Sequence, residues 1–351
     1  MCIAFPSRSR RPTSTAAGPP IDARLSRTGS VALRLALVAL AAWALRRELA
    51  GVHPGELLRH FAGYGWRHAA LALGGTAASF ATLGVLERLA IRYASRRARV
   101  PGGAALATSF VAHAFSQSVG LALLTGAAVR LRAYARFRLD AAAVARVSAF
   151  VTLSVTLGLL ACGAVALLGT SQPLRVAGAS LPGRPIGLAL ALLAAAYLAW
   201  SVIATRDVVG RGRWRLRRPN PRVAFAQLAL AAVDWLLTGT VLFALLPAGS
   251  GVGYGELLRA YLVAQTAGMA SHIPGAAGVL ELAVLALVAT GNEARRAPVI
   301  AALVMFRVVY YLLPLLLAMA VAAIGELARR RARMRMPALV PAVAIPVRRV
   351  G

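Results

Sequence analysis

Lysine is absent from this chain: all 40 basic residues are arginine. That removes Schiff-base and lysine-nucleophile chemistry. Acidic residues number 11 in 351 and are scattered rather than paired, so no two-carboxylate acid–base site is indicated. Cysteine occurs twice, as Cys2 near the terminus and Cys162 inside an apolar run, which argues against a disulfide framework. The five histidines, at 53, 60, 68, 113 and 272, show no H-E-x-x-H or C-x-x-C spacing, and no metal or other cofactor is expected. Neither a Gly-rich phosphate loop nor a G-x-S-x-G elbow appears. These absences point away from an enzyme.

What is abundant is apolar sequence. Hydrophobic residues make up 59% of the chain and the mean hydropathy is +0.69. Apolar runs of roughly 17–25 residues recur, the length a ~30 Å hydrocarbon layer requires. Eight regions stand out: 31–45, 69–87, 104–129, 144–169, 186–204, 223–247, 257–290 and 299–325. The formal charge of +29 lies in arginines between these runs. The positive-inside rule and anionic headgroups account for it more simply than nucleic acid does. Residues 1–27, rich in Ser, Pro, Thr and Arg, read as a disordered cytoplasmic arm. Residues 28–326 form the transmembrane domain, and 327–351 a basic cytoplasmic tail too small and Pro-rich to be catalytic.

Two regions do not read as plain crossings. The seventh spans 34 residues. As one helix it would be ~51 Å long, and Pro274 would break it. Arginine bias decides how to lay it out. If 104–129 enters and leaves from the cytoplasm, and 257–290 from outside, the inner loops 88–103, 130–143 and 205–222 hold 16 arginines and the outer loops 8. Eight simple crossings would reverse that bias. The expected fold is therefore an all-α integral membrane protein, a polytopic helical bundle of about six spans plus two re-entrant hairpins, with both termini cytoplasmic. Eight spans, two of them kinked, is the alternative. In the six-span layout each hairpin sits between two spans, in two units of opposite orientation, an inverted-repeat plan seen in transporters.

The hairpin tips would carry the polar groups. The first would turn near Ser116, Gln117 and Ser118, the second near His272, Pro274 and Gly275. A half-helix starting after Pro274-Gly275 would present free N–H groups as an anion site. His272 reads either as a capping residue or as a substrate contact. Intramembrane charges are expensive and usually paired. Asp234 in "AAVDWLL", Glu281 in "GVLELAV" and Arg307 in "VMFRVVYYLLP" are of this kind. Arg307 would neutralise one of the acids; alternatively Arg307, or Arg130 at the foot of the first hairpin, would grip a lipid phosphate. Tyr310 and Tyr311 read as interfacial or packing aromatics.

Four stretches, "SQSVGLALLTGAAVRLRAY" (116–134), "VDWLLTGTVLFALLP" (233–247), "HIPGAAGVLELAVL" (272–285) and "FRVVYYLLPLLLA" (306–318), resemble the transmembrane flippase region of the lysylphosphatidylglycerol synthase family. The resemblance covers roughly 30–325. Where that family often has Pro-Gly-Gly, this chain has Pro274-Gly275-Ala276. The matching positions are Gly126, Arg130, Tyr134, Asp234, Pro274, Gly275, Gly278, Glu281 and Arg307. The family's soluble aminoacyl-transfer domain is not recognised, so the resemblance implies lipid translocation rather than aminoacylation. It implies anionic or aminoacylated phospholipid as partner, in a bacterial inner (plasma) membrane. A membrane subunit for a separately encoded synthase or glycosyltransferase, and a small-solute secondary transporter, are the competing expectations; self-association stays open.

Overall fold

The computed structural model describes residues 65–335, apart from 96–97, 120–121, 171–173, 177–178, 205–207, 210–215, 248, 272–275 and 277. The arm at 1–27, the apolar run at 31–45 and the end of the tail lie outside these residues. So do His272, Pro274 and Gly275.

Ten helices carry the described fold: α1 (Trp66–Ala94), α2 (Gly102–Val119), α3 (Ala122–Tyr134), α4 (Ala141–Leu168), α5 (Gly183–Ile203), α6 (Pro221–Ala244), α7 (Tyr254–Ser271), α8 (Val279–Val288), α9 (Glu293–Phe306) and α10 (Leu313–Arg335). A six-residue π-helical stretch, Arg307–Leu312, joins the last two into one rod. The chain is an all-α membrane protein. Five stretches are long and apolar enough to cross a bilayer: Trp66–Ala94, Ala141–Leu168, Gly183–Ile203, Pro221–Ala244 and Glu293–Ala328. They coincide with five of the expected spans. Two small antiparallel ribbons, Leu174–Val176 with Ala179–Leu181 and Val208–Val209 with Leu216–Arg217, close the loops before and after α5. They are the one departure from a purely helical expectation, and each lies between spanning helices.

Local chemistry sets the helix ends. Asp140 caps α4 by accepting from the Ala143 N–H at 2.6 Å, and Asn220 caps α6 ahead of Pro221, whose missing N–H costs nothing there. Inside the apolar helices, hydroxyls bond back to the carbonyl one turn earlier. Thr76, Thr108, Ser118, Ser154, Thr238 and Thr266 all do so. Their polar atoms are thereby satisfied without water. The outward side chains form an apolar belt, including Leu71, Leu192, Ile203, Leu282 and Ile324.

Neither 104–129 nor 257–290 makes a crossing helix. Each folds back, α2 against α3 and α7 against α8. Thr125 donates to Ser116 at 3.3 Å across the first pair, which a kinked continuous helix does not allow. In the second, Ala276 (φ 47°) and Gly278 (φ 81°) have left-handed backbone that ends any helical run. The second half-helix opens at Val279 rather than directly after Gly275.

The hairpins open at opposite ends of the bundle. Arg88, late in α1, lies against Gly102, and Arg132 of α3 bonds Glu326 of α10 at 2.6 Å. At the other end Arg295 of α9 bonds Glu256 of α7 at 2.9 Å and the Gly251 carbonyl at 2.6 Å. Packing follows the inverted plan. The neighbours α1–α2, α2–α3, α3–α4 and α1–α4 have counterparts α6–α7, α7–α8, α8–α9 and α6–α9, and α2–α10 answers to α7–α4. Helices α1 and α6, one from each unit, form the most extensive contact. Small residues permit close approach: a Cβ on Gly158 of α4 would sit 2.6 Å from the Ala231 backbone of α6.

Two outcomes follow. In a cysteine-free background, Arg136→Cys and Gly253→Cys should react with an impermeant thiol reagent from opposite sides of the membrane, Gly253→Cys from outside; labelling of both from one side would remove the opposed hairpins. Gly158→Val should lower the unfolding temperature in detergent, because overpacking a helix crossing costs roughly 1–3 kcal/mol.

Candidate functional site

Polar residues are unevenly spread through the core, and the helices gather them at mid-height. Ser79, Asp234 and Tyr310 each lie within two residues of the centre of the crossing stretch that carries them. Ser79 Oγ donates to Asp234 Oδ1 at 2.5 Å and lies 2.8 Å from the Tyr310 hydroxyl. Thr238 Oγ1 is 3.0 Å from the same hydroxyl and 2.8 Å from the Asp234 carbonyl. All four residues are buried.

The π-helical stretch places Tyr310. Pro314 has no N–H for the carbonyl one turn back, and its ring crowds that carbonyl. Widening the preceding turn relieves the crowding, and Leu313 N–H reaches Val308 O instead. Tyr310 and Tyr311 both turn into the core, Tyr310 stacked on Phe306 with ring centres 5.2 Å apart. They are not interfacial. Tyr311 instead stands within 3.4 Å of Gln265 Nε2 on α7.

A cavity of about 220 Å³ opens beside this cluster. Hairpin one contributes Ser116 and Gln117, hairpin two Gly268, Met269 and Ala276, and the spans Asp234, Thr238, Tyr310 and Tyr311. Gln117 Oε1 is buried here with no hydrogen-bond partner among the described residues. A buried, unmatched amide oxygen is costly unless water or a ligand answers it. The two tips therefore meet in one polar chamber, as far as the described residues define them.

Arg130 reaches the chamber wall but is already engaged. Its Nε and Nη2 hold both oxygens of Glu87 at 2.7–3.0 Å, and the Tyr134 hydroxyl donates to Glu87 at 2.8 Å. Glu87 and Tyr134 are fully buried and Arg130 is 4% exposed. The pair ties α3 to α1 and neutralises both charges. Gly126 leaves room for it: a Cβ there would meet Arg130 Nη1 at 2.8 Å and the Ser116 hydroxyl at 3.0 Å. Glu87 was not foreseen. It is the last residue of the apolar run 69–87, just before five arginines, and α1 continues seven residues beyond it, to Ala94.

Of the intramembrane charges, Arg307 pairs with Glu281, not Asp234. Its guanidinium also lies 5.5 Å from the Tyr311 ring centre. Glu281 accepts from the Gly278 N–H at 2.9 Å as well, so α8 supplies an anion to its own N-terminus. Gln117, Arg130 and Asp234 thus share the chamber, Gly126 and Tyr134 support Arg130, and Gly278, Glu281 and Arg307 form a separate cluster at the second hairpin. Among the described residues no group of His, Cys, Asp and Glu is arranged to hold a metal.

No family model matches the chain. It is 36% identical over 213 residues to an uncharacterized protein of Synechocystis sp., covering 59% of this chain and 64% of that one. It is 33% identical over 221 residues to the inner membrane protein YbhN of Escherichia coli, covering 60% and 66%. The chain thus spans just under two thirds of the length of these two relatives. It is also 26% identical over 259 residues to a phosphatidylglycerol lysyltransferase of Bacillus subtilis, covering 71% of this chain and 29% of that enzyme.

The two ion pairs should respond differently to truncation. Glu87→Ala strands a guanidinium that has little access to water, at a cost of roughly 3–5 kcal/mol. The folded fraction in detergent should fall sharply and recover in Glu87→Leu/Arg130→Met. Arg307→Ala should cost less, because its side chain is 13% and that of Glu281 25% exposed. Equal losses in thermal unfolding would contradict this ranking.

Proposed function

We propose that the protein is a flippase-like transporter that moves a phospholipid, or a lipid-linked headgroup, between the leaflets of the bacterial inner membrane. The observation that carries this reading is the meeting of two opposed hairpins at a buried polar chamber halfway along the spanning helices. A headgroup crossing bare hydrocarbon loses its hydration, which costs several kcal/mol per unsatisfied polar group. A chamber lined by amide, hydroxyl and carboxyl groups replaces part of that hydration. At about 220 Å³ it takes the polar end of a lipid, while the acyl chains stay in the surrounding hydrocarbon. The similarity to a lysyltransferase of phosphatidylglycerol supports an anionic or aminoacylated phospholipid as cargo. The protein carries out no covalent chemistry of its own in this reading, and the arginine-rich end of the bundle faces the cytoplasm with both termini.

A second reading has a specific observation behind it. Over 71% of its length the chain is similar to a lysyltransferase, an enzyme that modifies a lipid. The chain then serves as the membrane partner of a separately encoded lipid-modifying synthase.

Reconstitution into liposomes with headgroup-labelled phospholipids tests the first reading. Purified protein should accelerate transbilayer movement, seen as loss of protection from a membrane-impermeant quencher. Gln117→Leu with Thr238→Val nearly keeps the chamber's size and removes two polar partners. Each is worth roughly 1–3 kcal/mol when a headgroup relies on it, so the rate should fall by about tenfold or more. Unchanged leakage of every lipid, with and without protein, would leave the partner reading.

A further inference from the structure

The intramembrane acids are handled in two ways. Glu87 and Glu281 are each held by an arginine. Asp234 accepts a single side-chain hydrogen bond among the described residues, from Ser79, and that donor is neutral. A membrane-buried carboxyl without a counter-charge marks a functional site.

We propose that Asp234 is a proton-binding site, and that its loading and unloading drive the lipid movement proposed above; the coupling rests on that transport reading, the proton site does not. The hydroxyl chain beside it accommodates both charge states with every heavy atom in place. With the carboxylate ionised, Ser79 donates to Asp234, Tyr310 donates to Ser79, and Thr238 donates to Tyr310 or to the Asp234 carbonyl. With one proton added, each bond reverses: Asp234 donates to Ser79, Ser79 to Tyr310, Tyr310 to Thr238, and Thr238 to the Asp234 carbonyl. Hydroxyls serve equally as donors and acceptors. The proton comes from water at one face, takes the side chain from −1 to neutral, and leaves to water at the other. An arginine-held acid has no such freedom, since its protonation would strand the guanidinium.

The surroundings favour a proton over a sodium ion. The four side-chain oxygens already bond one another along the chain, which leaves no gap for a cation among them. Among the described residues, the other groups around Asp234 are uncharged or already neutralised. On α4, Cys162 Sγ lies 3.6 Å from the Ala232 carbonyl. On α7 stand Tyr261 and Gln265, and on the rod Phe306 and Tyr311. The polar contact from α5 is Tyr197 with Gln227, two turns away. Across the chamber His113 bonds within its own helix, to the Ser109 carbonyl, and Arg130 is held by Glu87.

Infrared difference spectroscopy of the purified full chain across mildly acid to mildly alkaline pH reads the site directly. A protonated-carboxyl stretch should appear as pH falls, vanish in Asp234→Asn, and change midpoint in Tyr310→Phe, which keeps the carboxyl and removes one link. If no such band depends on Asp234, the proton site is overturned whatever lipid does. Coupling is read in phospholipid vesicles carrying headgroup-labelled phosphatidylglycerol, with the membrane potential clamped by valinomycin and equal potassium. One proton per lipid lets a pH gradient of about one unit sustain about a tenfold lipid asymmetry. The wild-type protein should do this, a protonophore should collapse it, and Asp234→Asn should show none. Lipid movement indifferent to the pH gradient, or driven by a sodium gradient, overturns the coupling while transport stands. A titrating Asp234 in a protein that moves no lipid overturns the transport reading and the coupling with it.

Discussion

Backbone that stops being helical inside a bilayer has no water to turn to. That single constraint organises this molecule. Two hairpins carry Gln117 and Ala276, beside their turns, to the chamber at mid-height, so each must be enclosed by protein. The spanning helices supply the enclosure: α1, α4 and α10 around the first hairpin, α4, α6 and α9 around the second. Side-chain links then hold each hairpin in place. Arg130 binds α3 to Glu87 of α1, and Glu281 binds α8 to Arg307. The glycine-mediated contact of α4 with α6 draws the walls close enough for this to work. The small chamber is what remains between the two tips.

The treatment of charge follows the same economy. At the bundle ends Arg132 and Arg295 share partly exposed pairs with Glu326 and Glu256, while the buried guanidinium of Arg130 has a carboxylate sealed in with it. The pairs differ in character. Glu87 and Arg130 are sealed and further satisfied by Tyr134, so they act as a rivet. Glu281 is divided between Arg307 and the amide at the start of its own helix, and both partners keep some exposure. Asp234 stands apart from both arrangements, among hydroxyls.

Much of the framework was legible in the sequence because hydropathy and arginine placement are bulk properties of a membrane protein. The five described crossings fall where the apolar runs fall, and the imbalance of arginines across loops identified the two segments that fold back. Individual contacts were less accessible. Glu87 ends the apolar run 69–87 next to Arg88, and only the continuation of α1 to Ala94 makes it an interior residue. Tyr310 and Tyr311 read as interfacial or packing aromatics, and an α-helical count through "FRVVYYLLP" could not choose between the two because it does not allow for the widened turn; Pro314 was the available signal. Arg307 had two acids to choose from by sequence, and the bend at Ala276 and Gly278 gives it Glu281. Helix-face arithmetic cannot show which hydroxyl of a distant helix meets Asp234. Ser79 is 155 residues away along the chain.

The paired plan of packing has a bearing on the direction of the proposed lipid movement. Turned over in the membrane, the order of contacts reads the same: span, hairpin, span, with α1 and α6 exchanging places at the centre. The packing order within the two units, leaving α5 aside, therefore has no built-in front or back. If the protein moves lipid as proposed, any preference for inward or outward movement then resides in chemistry that breaks the repeat. The first half contributes a locked Glu87–Arg130 pair and the second an acid whose charge is not fixed by a partner. Two halves of one architecture thus differ as a fixed jaw differs from a working one.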